Sequence, residues 1–268
     1  MTIQPAMHPS VFGIRLSALD ESALTQLLTE PLPPGAGVRL VATANIDHIR
    51  HLRSDQRFRD AYANAYAATA DGAPVALYAR LRGVPTPGRV AGPDLFASLM
   101  HAFEAGRHRP FFLVSNVDTG KRLAAWMRNR GFAADMVASE CPPFGFEKDP
   151  EFSEGLAERI REHGTTHLVA GVGAPKSEVW IHEWRHQLGD CYAFGIGAGV
   201  DFFVGSARRA PLWMQKSSLE WLWRLSGDPR RLGRRYLMDS IQFPAAIVDD
   251  LSGNWLAVDR PTRRMTSR

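Results

Sequence analysis

The sequence predicts a protein of the α/β class, because short apolar runs alternate with helical patterns from about residue 38 to residue 200. Each run has the length of a β-strand and is followed by a loop and a helix. Repeated β-loop-α units build a mostly parallel sheet with helices on both faces, a Rossmann-like arrangement. After residue 205 the alternation stops. We therefore expect an α/β catalytic domain over residues 1–205 and a helical, basic C-terminal appendage over residues 206–268.

The predicted elements follow one another in a regular order. The strand VRLVAT leads to NIDHIRHLRSDQRFRDAYANA, a single helical pattern in which Ile46, Ile49 and Leu52 share one face. The strand RPFFLVSN precedes a helix that we expect to start at Asp118 and to stop at Gly131. The last units are AADMVAS with EFSEGLAERIREHG, THLVAGVG with APKSEVWIHEWRHQLG, and the closing strand CYAFGIG.

Composition indicates a globular protein that neither spans a membrane nor carries a signal peptide. The chain has 268 residues, of which 45% are hydrophobic, enough for one sizeable core. No apolar run approaches the length of about 18 residues that a membrane span needs, and the N-terminus lacks the pattern of a signal peptide. Cys141 and Cys191 lack metal-site spacing, so we expect buried thiols in a reducing cytoplasm.

Positive charge is concentrated in one segment. Residues 208–237 carry a net charge of +6, whereas the whole chain carries +4, so the rest is slightly acidic. This excess predicts an anionic partner, which could be nucleic acid, lipid head groups or a phosphorylated substrate. The tryptophans and arginines of the segment suit a membrane interface, but they are also typical of a solvated charged face beside a core stripe. The cluster GDPRRLGRR is equally suited to a diphosphate.

Five loops are predicted to share one rim of the sheet, where the carboxyl ends of parallel strands bind ligands. Two of them are glycine-rich turns before helices, and backbone N–H groups at such turns favour phosphate. Lys176 stands where the dinucleotide fingerprint has its third glycine, so the pattern is neither that fingerprint nor a Walker loop. The five loops are TAN at 43–45, ADG at 70–72, SN at 115–116, GVGAPKSE at 171–178 and GIGAGVD at 195–201.

Asp71 lies where a run of small residues meets a helical pattern, and two interpretations remain open. Its carboxylate is suited to capping the following helix, with Pro74 in the first turn. Alternatively, it lies at a ligand rim beside Gly72, which allows a substrate to approach closely, and accepts a proton from a hydroxyl. Thr43 and Asn45 either line the same cleft or cap the helix after the first strand.

The glycine-rich loops supply further candidates for substrate binding. Lys176 either neutralises a phosphate or is an exposed lysine in a first turn, and Glu178 either accepts a sugar hydroxyl or is an ordinary first-turn acid. The glycines either admit a ligand or only allow tight helix–sheet packing. No metal site is predicted, because the helical histidines lack further converging ligands. The remaining candidates are Asp94, Gly171, Gly173, Gly197 and Asp201.

Five long motifs stand in an order and at a spacing typical of one known family. They are TANIDHI, ADGAPVALYARLRGVPTPGRVAGPDL, GVGAPKSEVWI, GIGAGVDFFVGSARRAPLWMQKSSLEWLWRL and DPRRLGRRYL. Over about residues 12–243 the chain resembles the WecG/TagA/CpsF glycosyltransferases. This chain departs from the family's Pro-Lys-Gln-Glu motif at the glutamine, because it has Pro175, Lys176, Ser177 and Glu178 at these positions.

The resemblance implies an inverting, metal-independent enzyme of bacterial envelope or exopolysaccharide synthesis that needs no cofactor. Such enzymes move a hexose or N-acetylhexosamine-type sugar from a UDP-sugar onto a sugar carried by a polyprenyl diphosphate. The resemblance places the family's general base at Asp71 and its Thr-x-Asn motif at Thr43 and Asn45. The appendage resembles an element that closes over the active site and meets the lipid diphosphate. Its candidate diphosphate contacts are Arg208, Arg209, Arg224, Arg231 and Arg234.

The expected partners are the UDP-sugar, the lipid-linked acceptor and an anionic membrane surface, and no nucleic acid. The expected location is the cytoplasm, peripheral on the inner face of the plasma membrane, and an exposed Trp-rich surface would also allow a homo-oligomer. Two other classes remain open. One is a nucleotide-dependent oxidoreductase, against which the absent fingerprint argues. The other is a non-catalytic protein whose basic helices bind membrane or nucleic acid.

Overall fold

A computed structural model describes residues 10–217 and 219–253 of the chain. Within these ranges the backbone of Lys216 and Arg231 is described, but their side chains are not. The predicted diphosphate contact Arg231 therefore lies outside the described side chains. The end of the predicted appendage, residues 254–268, also lies outside the described residues.

The described chain forms a six-stranded sheet in which every pairing is parallel, which confirms the predicted α/β class. The strand order is β2-β1-β6-β5-β3-β4. All strands therefore end at the same edge, as crossover connections require. The strands are β1 (Arg39–Ala44), β2 (Ala67–Ala70), β3 (Pro110–Leu113), β4 (Ala138–Glu140), β5 (His167–Ala170) and β6 (Tyr192–Gly195).

Helices cover both faces of the sheet because successive strand residues point to opposite sides. The helices are α1 (Glu21–Thr29), α2 (Ile46–Ser54), α3 (Gln56–Ala63), α4 (Ala73–Leu81), α5 (Gly92–Ala102), α6 (Val117–Asn129), α7 (Pro150–Glu162), α8 (Lys176–Trp184), α9 (Gly199–Phe203), α10 (Leu212–Lys216), α11 (Glu220–Gly227) and α12 (Pro229–Leu251). Phe111 and Leu113 belong to a core cluster with α7 and α8, whereas Phe112 between them belongs to a cluster with α1, α5 and α6.

The single helix predicted after the first strand is two helices in the structure. Asp55 has an extended backbone, and its carboxylate accepts hydrogen bonds from the backbone N–H groups of Arg57 and Phe58. An aspartate that caps a helix competes with the continuation of the preceding helix. The predicted single helix was therefore wrong at this residue, although both halves keep their apolar side chains in the core.

The last helix, α12, packs against the sheet domain, where it contacts α2 and α4. Ala246 is fully buried in the core cluster that contains Val75 and Tyr78 of α4. Asp250 accepts hydrogen bonds from the Phe12 backbone N–H at 2.7 Å and from the Tyr78 hydroxyl at 2.8 Å. None of the helices in the described ranges combines the length and apolarity that crossing a membrane requires.

Candidate active site

A cleft of about 630 Å³ lies at the carboxyl ends of β1 and β2. The loops after these strands form one wall, and the helices α11 and α12 form the other. The α/β part of the chain and its C-terminal helices thus enclose the cleft together. Its lining residues are Asn45, Ile46, Asp47, Asp71, Gly72, Ala73, Pro74, Leu77, Arg89, Pro93, Gln215, Glu220, Trp221, Arg224, Arg235, Tyr236, Asp239 and Ser240.

Asp71 is the first residue after β2, and its side chain lines the cleft. Its backbone N–H donates to the carbonyl of Ala44 at 2.9 Å, and its carbonyl accepts from Arg89 Nε at 2.7 Å. The N-cap of α4 is Gly72, and no side chain caps that helix. The Asp71 carboxylate is therefore not engaged in capping α4, which was the structural interpretation of this residue.

The Asp71 carboxyl has an unusually high pKa. Burial raises its pKa from 3.8 to about 6, and the acid Glu220 adds to the rise. Arg89, Arg224 and a hydrogen bond from the Gly92 backbone pull the pKa in the opposite direction. A carboxyl with this pKa is mostly ionised at neutral pH and is a stronger base than an ordinary aspartate.

Three arginines surround the carboxylate side of the cleft. Arg224 was expected there from the sequence, whereas Arg89 and Arg235 were not. The Nε atoms of Arg224 and Arg235 are buried and have no hydrogen-bond partner among the described residues. Glu220 holds two of the guanidinium groups, at 3.2 Å from Arg224 and 3.7 Å from Arg89. Arg235 also has ion-pair partners, since its Nε atom lies 3.8 Å from both Asp47 and Asp239. Buried guanidinium N–H groups that lack a hydrogen-bond partner are suited to an anionic ligand.

The other predicted diphosphate contacts do not line the cleft in this arrangement. Arg209 donates to Asp94 at 2.5 Å, so the sequence candidates Arg209 and Asp94 hold each other. Arg208 is exposed, and its carbonyl accepts from Trp223 Nε1 at 3.2 Å. Arg234 is exposed on α12.

Asn45 both caps α2 and lines the cleft, so the two interpretations of this residue hold together. Its side-chain oxygen accepts from the His48 backbone N–H at 3.1 Å. Thr43 is buried and lies beneath the start of α5, where a Cβ on Gly92 would come within 3.0 Å of the Thr43 hydroxyl oxygen. Thr43 therefore sets how closely α5 approaches the sheet, and it is not among the lining residues of the cleft.

The glycine-rich loops form a second group of candidates beside the cleft. Gly173 and Gly197 both have positive φ angles, of 89° and 54°, and a Cβ on Gly197 would lie 4.0 Å from the Gly173 Cα. Pro93 joins this group to the cleft, because it lines the cleft and would lie 3.2 Å from a Cβ on Gly199. Because glycine has no side chain, a ligand can approach the backbone of these loops closely.

Lys176 begins α8 and reaches across to an aromatic ring that the sequence analysis did not single out. Its Nζ atom lies 5.5 Å from the ring centroid of Phe144, a fully exposed side chain. Gly171 is buried, and a Cβ there would lie 3.1 Å from Val200. Asp201 accepts a hydrogen bond from the Thr119 hydroxyl at 2.6 Å.

Glu178 lies beneath the glycine-rich loops and is almost fully buried. Its carboxylate sits against Gly195, where any Cβ would collide with Oε1, and its Oε2 has no hydrogen-bond partner among the described residues. Burial raises the pKa of the Glu178 carboxyl to about 7. Ser177 is also buried, and its hydroxyl donates to the Gly173 carbonyl at 3.3 Å. Ser177, which stands where the family motif has glutamine, therefore stabilises the glycine-rich loop that contains Gly173.

No group of three or more metal-ligating side chains occurs among residues 10–217 and 219–253. His48, one of the helical histidines, has its Nδ1 atom 2.6 Å from the Tyr62 hydroxyl. Burial lowers the pKa of His48 to about 4, so the ring is neutral. Of the two free thiols, Cys191 is buried and Cys141 is partly buried.

Comparisons with known proteins identify the family of the chain. The family model described as glycosyl transferase WecG/TagA/CpsF matches residues 9–254. One curated relative, from Bacillus spizizenii (strain ATCC 23059 / NRRL B-14472 / W23), is 27% identical over 220 residues. The match covers 80% of this chain and 80% of that protein, which is named an N-acetylglucosaminyldiphosphoundecaprenol N-acetyl-beta-D-mannosaminyltransferase.

Proposed function

The chain belongs to the WecG/TagA/CpsF glycosyl transferase family, and on that basis we propose that it transfers a sugar from a UDP-sugar to a sugar carried by a polyprenyl diphosphate. The observation that carries this proposal is the Asp71 carboxyl, which faces a cleft beside three arginines. Membership of a transferase family favours this reaction over the hydride transfer of an oxidoreductase. The acceptor class follows the name of the Bacillus relative.

In the proposed reaction, Asp71 acts as the general base. An acceptor hydroxyl attacks the anomeric carbon from the face opposite the departing UDP, and the new C–O bond inverts the configuration at that carbon. Asp71 accepts the hydroxyl proton as the bond forms, while the bonding electrons of the old C–O bond leave with the β-phosphate of UDP. The raised pKa of Asp71 matches this task at neutral pH.

We assign the cationic side chains of the cleft and its neighbouring loops to binding the diphosphate groups of the two substrates. Arg224 and Arg235 present buried Nε atoms without hydrogen-bond partners among the described residues, and Arg89 donates to the Asp71 carbonyl. We assign Arg224 and Arg235 to the diphosphate of the lipid acceptor, because α11 and α12 carry them into the cleft beside Asp71. Lys176 and the loop glycines then meet the diphosphate of the donor, where N–H groups and a cation stabilise the leaving group without a metal.

The remaining sequence candidates are proposed to support the donor loops. Gly171, Gly173 and Gly197 allow backbone to approach the nucleotide, and Asp201 anchors α9 through Thr119. Glu178 is too buried to meet a ligand directly, so we assign it to shaping the loop above it. The donor sugar is proposed to be a hexose or an N-acetylhexosamine.

A peripheral membrane location is proposed from the C-terminal helices. They expose large apolar side chains next to arginines, a combination that suits an anionic bilayer surface. A polyprenyl-linked acceptor also requires access to the bilayer. We propose that the enzyme acts on the inner face of the plasma membrane. The exposed apolar residues are Leu212, Trp213, Trp221, Leu222, Leu237, Met238 and Ile241.

The test of this function is sugar transfer from a panel of radiolabelled UDP-sugars to N-acetylglucosaminyl diphosphoundecaprenol in detergent, with and without a chelator. We expect one donor to give a lipid-linked product at the same rate in both conditions, with UDP-N-acetylmannosamine as the first donor to test. Loss of product with the chelator would contradict metal independence. Binding of UDP without transfer from any donor would contradict the assigned acceptor, and failure to bind UDP would contradict the donor class.

A further inference from the structure

Glu220 places a carboxylate among the arginines of a cleft that is assigned to bind diphosphates. It is the first residue of α11, it lines the cleft, and its side chain is 14% exposed. Its carboxylate oxygens lie 3.2 Å from a guanidinium nitrogen of Arg224, 3.7 Å from one of Arg89 and 3.8 Å from one of Arg209. An acid at this position lowers the affinity of the cleft for anions, so its presence needs a reason.

Two of these arginines are held between Glu220 and a second group. Arg89, from the loop before α5, donates from Nε to the Asp71 carbonyl at 2.7 Å. Arg224 lies one turn further along α11, and its guanidinium carbon is 4.9 Å from the ring centroid of Phe202 in α9. Glu220 therefore helps to fix cations that come from the sheet edge and from the C-terminal helices.

Glu220 also acts on the carboxyl of Asp71, the proposed base. Burial raises the pKa of this carboxyl, the charges of Arg89 and Arg224 lower it, and the charge of Glu220 raises it again. Without Glu220 the two cations would act unopposed, and Asp71 would be a weaker base. The other groups that interact with one of the two carboxyls are Tyr62 of α3, the Gly92 backbone N–H at the start of α5, Arg209 before α10 and Tyr236 of α12.

We propose that Glu220 is a positioning residue of the transfer reaction, which fixes the guanidinium groups of Arg89 and Arg224 and offsets their charge at Asp71. The cleft then holds cations for a diphosphate next to a carboxylate that remains a strong base. Because Asp71 follows β2 and Glu220 begins α11, the strength of the base depends on the docking of α11. This assignment rests on the proposed function and adds to it a residue that acts through others.

Two simpler roles of Glu220 compete with this one. An acid in the first turn of α11 interacts favourably with the helix dipole, and a carboxylate among partly buried arginines offsets the cost of burying their charge. Either role would make Glu220 matter for stability, but neither connects Glu220 to the ionisation of Asp71. The pH dependence of sugar transfer therefore separates the proposal from both.

The experiment measures sugar transfer between pH 5 and pH 8 by the wild type, Glu220→Gln and Glu220→Asp. Both substrates are kept well below saturation, so that the pH profile reports groups of the free enzyme. Glutamine has nearly the same shape as glutamate without its charge, and aspartate keeps the charge on a shorter side chain. Because the position is partly exposed, both variants should fold.

The wild type should keep roughly a tenth of its plateau rate at pH 5, because the pKa of Asp71 is about 6. We expect Glu220→Gln to keep a fraction that is roughly two-fold larger or more, because its acidic limb moves to lower pH. Glu220→Asp should retain the wild-type limb. The matched control is Asp249→Asn, which removes an acid and its ion pair with Arg53 outside the cleft and should also retain the wild-type limb.

Three results would overturn the proposal. A wild-type limb in Glu220→Gln would leave Glu220 a purely structural residue. A limb that moves as far in Glu220→Asp as in Glu220→Gln would assign the effect to the length of the side chain and not to its charge. The same movement in Asp249→Asn would assign it to the net charge or to the docking of the C-terminal helices.

A second measurement separates this proposal from the proposed function. It is a carbon-13 NMR titration of the aspartate carboxyls, in which Asp71→Asn identifies the signal of Asp71. If the wild type transfers no sugar from any donor, the proposed function fails. The effect of Glu220 on Asp71 is then supported only if the pKa of Asp71 is lower in Glu220→Gln than in the wild type, and equal pKa values would overturn it.

Discussion

Glu178 illustrates how one buried residue links stability to pH. Burial raises its pKa in the folded protein to about 7, from an ordinary value of 4.5. The folded state therefore keeps a proton that the unfolded state releases. The contribution of this residue to the free energy of unfolding is largest below pH 4.5 and falls as the pH rises towards and beyond 7.

We predict that Glu178→Gln stabilises the protein at pH 8, because the amide removes a charge that the site does not solvate. The gain in the free energy of unfolding should be about 1–3 kcal/mol at pH 8 and should shrink towards zero at pH 5. Urea unfolding at both pH values measures it, with the exposed Glu162→Gln of α7 as the matched control for net charge. A gain of equal size at both pH values would contradict the inference that the Glu178 carboxyl has a raised pKa in the folded protein.

Single residues also show where sequence reasoning ends. The motif around Asp71 was sufficient to expect its side chain at the rim, and the structure places it in the cleft. The arginines of RRLGRR could not be told apart, because neighbouring helix positions differ by about 100° in direction. Arg235 faces the cleft, whereas Arg234 is exposed. The one signal available was Asp239, four residues after Arg235, which marks the side of α12 that faces α2.

At the scale of elements, short apolar runs predicted the sheet because its strands, apart from β4, are buried on both faces. The helix that starts near Asp118 was placed to within one residue, since Asn116 caps it and Gly131 follows its end with a φ of 87°. The break at Asp55 was missed because the apolar pattern continues across it. How the C-terminal helices dock was not predictable, because it depends on long-range pairs such as Arg53 with Asp249.

The prediction at this scale concerns the C-terminal helices and uses a truncated protein that ends at Gly205. Without α10–α12 we expect the six strands to remain folded, since two of the three core clusters lie wholly outside these helices. The melting temperature should fall by several degrees, because Ala246 is lost from the cluster around Phe12 and Tyr78. Binding to anionic vesicles should disappear.

Circular dichroism and co-sedimentation with anionic vesicles measure these effects, and the full chain is the control. An unfolded fragment would show that α12 belongs to the same folding unit as the sheet and that the proposed boundary near residue 205 is misplaced. Retained vesicle binding would place the membrane contact within the first 205 residues.

The whole molecule is a parallel sheet whose ligand edge is completed by helices from the end of the chain. The sheet supplies Asp71 and Asn45, and the C-terminal helices supply Arg224, Arg235 and Glu220. The local excess of positive charge near the C-terminus thus has a structural counterpart, since part of it faces a cleft that holds a carboxylate. Charge of both signs around one cleft is what the proposed displacement requires.

The most direct test of the central claim is the rate of sugar transfer to the lipid-linked acceptor by Asp71→Asn, beside the wild type, between pH 5 and pH 8. We predict that the wild-type rate falls as the pH drops through about 6, where Asp71 takes up a proton. The variant should be slower by roughly 10²–10⁴-fold and lose this pH dependence, while its affinity for UDP is retained. A variant that transfers sugar at nearly the wild-type rate would contradict the assignment of Asp71 as the base.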